Sequence, residues 1–265
     1  MDIKKNKKKP LKNDVDKGYS SDNIKNIYRN DQVFNQPAFV LHSFPYKETS
    51  LILEIFSLNF GKISLIAKGA KRPLSKFRGI LQSFQMLSLS WIGKYEIKNL
   101  VSADWVGGIV PLEKSNLLFG FYLNELLIKL LEKNFPYPNL FENYVKTLNN
   151  LSTKVSLSVV LRKFELYLLK ETGVVGSLGV ISKSGHCINP DKKYVFEPNS
   201  GIREAIMNDS IPVIFGKTLL DMENEKYSDI NTQNQSKILM RYLLNYHLAG
   251  AKLNSRQILI DLLHL

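Results

Sequence analysis

A change of hydrophobic period near Pro111 is what most constrains the fold of this chain. Before it, apolar residues alternate with polar ones: Leu51, Leu53 and Ile55 share one face of TSLILEIF, and Ile63, Leu65 and Ala67 share one face of KISLIAK after a turn at Asn59-Phe60-Gly61. Leu87, Leu89 and Trp91 alternate with Ser88 and Ser90, a turn follows at Gly93-Lys94, and then comes YEIKNLV. With AFVLHSF at the start, this makes about five short strands, the pattern of a small all-β barrel or sandwich.

After Pro111 the spacing becomes helical. Leu157, Val160, Leu161, Phe164 and Leu168 recur at helical intervals, as do Ile238, Leu239, Tyr242, Leu243 and Tyr246. Leu117 to Leu131 reads as a nearly all-apolar, buried helix, and Asn254 and Ser255 offer caps for a terminal one. A Gly/Ser/Asn/Pro-rich insert near 173–205 interrupts the helices, with KYVFEP as a candidate strand. The expectation is an α+β multidomain chain: a flexible basic tail at 1–35, a β domain at 36–110 and a mainly α-helical domain at 111–265.

Charge separates these parts. The whole chain carries +12, but residues 1–36 hold nine Lys/Arg against five Asp/Glu, residues 37–99 nine against three, and the remainder 18 against 16. Ten of the twelve net charges therefore precede residue 100. Lys68, Lys71, Arg72, Lys76 and Arg78 occur with no acid between them, in a Gly-punctuated segment joining two strands. Such cations release counterions from a phosphate backbone, and the glycines let that backbone approach. Lys62 belongs with them as a DNA-binding candidate. Phe77, between Lys76 and Arg78, is placed to stack on unpaired bases; Tyr95 is a further aromatic nearby, whereas Trp91 and Phe84 lie in apolar alternation that suits a barrel core.

Several chemistries lack support. Gly216-Lys217-Thr218 has Ile211 where a phosphate loop needs its first glycine. The four histidines are far apart, and His186-Cys187 is the only adjacent pair of metal-capable residues, half of what a closed zinc site needs. No nucleophile has a credible base, so no enzyme and no cofactor are expected. The single cysteine and the absence of a secretory leader suggest a cytoplasmic protein, and no apolar run approaches the roughly 20 residues of a membrane span.

AFVLHSFPYKETSLILEIFSLNFGKISLIAKGAKRP, GILQSF, FYLNELLIKLLEKNFPYPNLF, LRKFELYLLKETG and LNSRQIL resemble the bacterial RecO family of recombination mediators, from about Pro37 to the end. The resemblance implies an N-terminal OB-fold β-barrel and a helical C-terminal domain. It also implies binding of single- and double-stranded DNA, annealing of complementary strands, and work with RecR to load RecA onto strands coated by the single-stranded DNA-binding protein, in a cytoplasmic, nucleoid-associated setting. Arg162 in LRKFEL, with Lys163 beside it, matches the position that in family members helps hold the acidic C-terminal tail of the single-stranded DNA-binding protein. Many members carry a four-cysteine zinc site near Gly173 to Met207; this chain keeps only Cys187 there, so a zinc-free loop held by packing and hydrogen bonds is expected. The alternative reading is a general OB-fold nucleic-acid chaperone with no role in repair.

Overall fold

A computed structural model describes residues 28–29, 31–109, 111–112, 114–153, 156–255 and 257–258. The KKNKKK run and the end of the expected terminal helix, 259–265, lie outside the described residues.

The first half is built on strands β1 (Tyr28–Arg29), β2 (Gln32–Tyr46), β3 (Ser50–Ser57), β4 (Gly61–Ala67), β5 (Met86–Ile92) and β6 (Ile97–Trp105). The sheet order is β1-β2-β3-β4-β6-β5, with β4 and β6 parallel, and β5 pairs back onto β2. The 15-residue β2 makes this possible, because its first half pairs with β5 and its second half with β3. Val40, Leu53, Ile55, Leu65, Leu87, Leu89 and Trp91 fill the interior. This strand order and long shared first strand are those of the expected OB-like domain.

One boundary moves. The polar texture of the sequence assigns residues 32–35 to the tail, yet they open β2, where Val33 is buried opposite Trp91. Burial of that one branched side chain in the barrel interior sets the register of the strand's beginning.

The second half carries α1 (Lys114–Leu130), α2 (Pro138–Leu151), α3 (Leu157–Glu171), α4 (Gly216–Glu223) and α5 (Ile230–His247), with a three-stranded sheet of β7 (Lys193–Glu197), β8 (Gly201–Glu204) and β9 (Val213–Phe215) in the order β8-β7-β9. Leu140, Phe141, Tyr144, Leu148 and Leu151 form the buried stripe of α2, and Pro138 starts that helix where a missing amide hydrogen costs nothing. The insert is less irregular than its composition suggests. Ile181 N donates to His186 O at 2.8 Å and Ile188 N to Gly179 O at 2.9 Å, forming a small hairpin ahead of β7. Ser182 ties that hairpin to β8, its Oγ accepting from Ile202 N at 2.8 Å.

The two halves share one hydrophobic core. Phe39 and Phe56, on the outer face of the sheet, meet Phe141 of α2 at ring separations of 5.4 Å each, and Tyr144 stands edge-on to Phe39 at 5.1 Å. A buried polar chain crosses the same seam: Tyr144 Oη donates to Asn124 Oδ1, and Asn124 Nδ2 donates to Leu41 O at 2.9 Å. The C-terminal segment is clasped in turn, since Glu125 of α1 accepts the backbone amides of Asn254 and Ser255 at 3.0 and 2.9 Å. Asn254 and Ser255 thus receive a cap from another helix. No helix among the described residues is long and apolar enough to cross a membrane.

Candidate nucleic-acid interface

The segment joining β4 to β5 (68–85) holds its shape through successive turns. Arg72 N donates to Gly69 O, Ser75 N to Arg72 O and Arg78 N to Ser75 O, each at 3.1 Å. Two side chains pin it to the barrel, Ala70 and Phe77, both part of the interior. Lys71 N donates to Thr49 O at 2.8 Å, fixing the segment against the β2–β3 turn. A loop nailed at these points displays its charged side chains outward in a set arrangement.

Those side chains are the cations. Lys68, Lys71, Arg72, Lys76 and Arg78 are all exposed and make no ion pair among the described residues. Lys76 Nζ donates to Val101 O at 2.8 Å, and Arg78 Nη1 to Pro73 O at 3.3 Å, contacts to neutral carbonyls that leave both charges uncompensated. Several cations elsewhere are paired, among them Lys133 with Glu96, Lys192 with Glu204, and Arg203 with Glu197 and Asp209. The contrast makes the loop an electropositive surface.

Two residues expected to face DNA face inward. Phe77 is only 7% exposed, because the turn at Ser75 directs its ring into the barrel while its charged neighbours point out. The Lys76 ammonium lies 5.2 Å from the centre of that ring, which offers no face to a base. Lys62 is buried beneath the helical domain, where its ammonium donates to Ile128 O in the last turn of α1. Burial draws that ammonium below its ordinary value; nearby Glu54 opposes the shift and Lys133 adds to it. Lys62 acts as a tie between the halves, and the acceptor lies 66 residues away in sequence. Phe84 and Trp91 are buried as their alternation implied, and Tyr95 is exposed.

Two aromatic side chains that reach solvent beside the loop are ones that sequence reasoning missed. Phe44 and Tyr46 on β2 are 47% and 37% exposed. Their signal in the sequence is the spacing His42, Phe44, Tyr46, which puts three rings on one face of a strand.

On the helical side, Arg162 is not a solvated charge. Its side chain is 14% exposed and Nη2 donates at 2.6 Å to Glu165, which is fully buried and also accepts from Tyr122 Oη. Arg162 Nη1 is buried with no hydrogen-bond partner, as is Tyr227 Oη. Lys163 lies at the surface, paired with Glu225 at 2.9 Å. It lines a groove of about 480 Å³ between α2 and α3, with Val159, Val160, Phe164 and Tyr167 on its apolar side and Lys146, Glu142 and Glu225 among its charged residues. Gly216-Lys217-Thr218 forms no phosphate cradle: Lys217 is bound to Asp221 and, at 3.4 Å, to Asp229. No three metal-capable side chains converge among the described residues.

Two family models cover most of the chain: Recombination protein O N terminal matches residues 32–109 and Recombination protein O C terminal matches residues 114–257. DNA repair protein RecO of Ralstonia nicotianae is 52% identical over 233 residues, covering 87% of this chain and 85% of that protein. The protein of the same name from Burkholderia pseudomallei is 50% identical over 236 residues, or 88% and 86% of the two chains. That of Polynucleobacter necessarius is 46% identical over 237 residues, or 87% and 97%.

Proposed function

The chain belongs to the RecO family, and on that premise we propose that it is a DNA-binding recombination mediator that anneals complementary strands in DNA repair. It acts without a catalytic step of its own and, with RecR, helps RecA onto single strands coated by the single-stranded DNA-binding protein. The observation that carries the reading is the loop from Lys68 to Arg78, whose five exposed cations have no acidic partner among the described residues. Cations already neutralised by neighbours release few counterions from DNA; uncompensated ones on a fixed loop release them at little ordering cost. A surface of this kind also lowers the repulsion between two strands held on it, which is the physical requirement for annealing.

The groove between α2 and α3 is the site we assign to the acidic tail of the coat protein. Val159, Val160 and Phe164 suit an apolar terminal side chain, and Lys146 and Lys163 suit carboxylates. Lys163 has to exchange Glu225 for the peptide, and Arg162 supports the groove from behind through its bond to Glu165.

The test is annealing of complementary oligonucleotides coated with the cognate single-stranded DNA-binding protein. Replacing Lys68, Lys71 and Arg72 with Glu is expected to abolish annealing and weaken DNA binding, and Lys62→Met, whose ammonium is buried, to leave both within twofold. With roughly four phosphate contacts to a single strand, log affinity falls against log salt with a slope of about −3 in the unaltered protein. A flat salt response, or a charge-reversed loop that anneals normally, refutes the assignment.

A further inference from the structure

The outer face of the β2–β3–β4 sheet is divided. One half is covered by the helical domain: Phe56 packs on Phe141, and Lys62, registered opposite Phe56, reaches Ile128. Glu54, which accepts from Ser64 Oγ at 2.7 Å, marks the border. Beyond it the face is open. Phe44, Ile52 and Ile66 stand in one row across the three strands, and in the next row Tyr46 is registered opposite Ser50. His42, Phe44 and Tyr46 are all exposed, with the His42 and Phe44 rings edge to face at 4.3 Å.

Cations border this strip. Lys68 follows Ile66 by two residues at the exit of β4, and the Lys71–Thr49 hydrogen bond holds the basic loop against the turn that follows Tyr46. Lys47 sits over the Tyr46 ring at 5.4 Å. Glu48, in the turn, is the opposing charge.

Resting on the DNA-binding reading above, we propose that Phe44 and Tyr46 are a stacking platform for unpaired bases of single-stranded DNA, with Lys68 and Lys71 on the adjoining phosphates. Rings edged by unpaired cations supply what a single strand offers, base faces and backbone charge together. Residues two apart on a strand are separated by roughly 6.7 Å, about twice the 3.4 Å rise of a stacked strand, so bases engaging both rings leave their stack on each other. A duplex keeps its bases inside and meets only the cations. The platform therefore gives preference for single strands, which the basic loop alone does not.

The experiment compares the full chain with Phe44→Ala/Tyr46→Ala and with Phe44→Trp/Tyr46→Trp, using a labelled oligothymidine and a duplex of equal length at two salt concentrations. Removing both rings is expected to lower oligothymidine affinity by roughly 5- to 150-fold per ring engaged. Duplex affinity should stay within twofold, the salt slope should not change, and the tryptophan variant should keep single-strand affinity. Thermal melting checks that the variants are folded; both rings are exposed, so their loss leaves the core intact. Unchanged oligothymidine affinity overturns the platform, and so does an equal loss on both probes. Self-association of the unaltered protein that the alanine variant loses, with DNA binding untouched, assigns the face to a second copy instead. Failure of the underlying reading looks different: the unaltered protein binds neither probe.

Discussion

Replacing Gly61 with Ala tests the seam between the two halves more sharply than any change of charge. Gly61 opens β4 at φ +63°, and a Cβ added to it would fall 1.7 Å from Phe135 O and 2.6 Å from Phe135 C. Those atoms belong to the backbone that follows α1, where Asn134 N donates to Lys62 O at 2.9 Å. An alanine at positive φ costs about 1–2 kcal/mol by itself. Forcing the two backbones apart adds about 1–3 kcal/mol of overpacking, and loss of the Asn134 bond adds about 1 kcal/mol. The expected destabilisation is therefore about 3–6 kcal/mol, which at roughly 3 °C per kcal/mol lowers Tm by about 9–18 °C. Gly79 supplies the control: it has φ +78° and a Cβ there would meet nothing within 4 Å, so Gly79→Ala should show only the conformational cost of about 1–2 kcal/mol. Calorimetry and urea unfolding of both variants give the comparison. If Gly61→Ala is within about 1 kcal/mol of Gly79→Ala, the close approach does not hold the halves together and the reasoning fails.

Three further outcomes follow from the helical domain. Burial pushes the Glu125 carboxyl up, but hydrogen bonds from Ser255, Asn254 and Lys129 outweigh it and leave it below its ordinary value of 4.5. A depressed carboxyl stabilises the fold above the unfolded value and stops doing so as pH falls through the folded one; the stability difference between the unaltered protein and Glu125→Gln should be flat from neutral pH to about 5 and shrink below that, and a difference that grows on acidification would falsify the clasp. Arg162→Ala removes a charge partner of fully buried Glu165 and should cost about 3–5 kcal/mol in urea unfolding, so Lys163→Glu, at the surface, is the cleaner probe of peptide binding in the groove, with near-normal stability and weakened capture of an acidic peptide.

Much of this architecture is legible in the sequence because it is written locally. Alternation in TSLILEIF and KISLIAK marks the strands, and the spacing from Leu157 to Leu168 marks α3. The run from Lys68 to Arg78 reads as a basic surface from the absence of acids, since exposure of a charged loop needs no tertiary information. What sequence reasoning misplaces depends on distant partners. Phe77 looks like a surface aromatic between two cations, and only the turns that precede it aim its ring into the barrel. Lys62 alternates with core residues as a surface cation should, until the end of α1 covers that half of the sheet. Phe44 and Tyr46 escape notice for the converse reason: in the strand pattern they resemble Phe39, and only the extent of the helical covering leaves them in solvent. In α2 the apolar spacing is regular, but four asparagines in fourteen residues dilute it.

The core that runs unbroken from Phe39 and Phe56 into α2 has a consequence for timing as well as for strength. Two modules on a slack tether meet at an effective concentration set by how far the tether lets them wander. Here no such wandering separates the loop that follows β4 from the groove between α2 and α3. If a coat-protein tail docks in that groove, the strand it has just uncovered is presented at one fixed reach from the waiting cations. The spacing between that groove and the loop is set at folding.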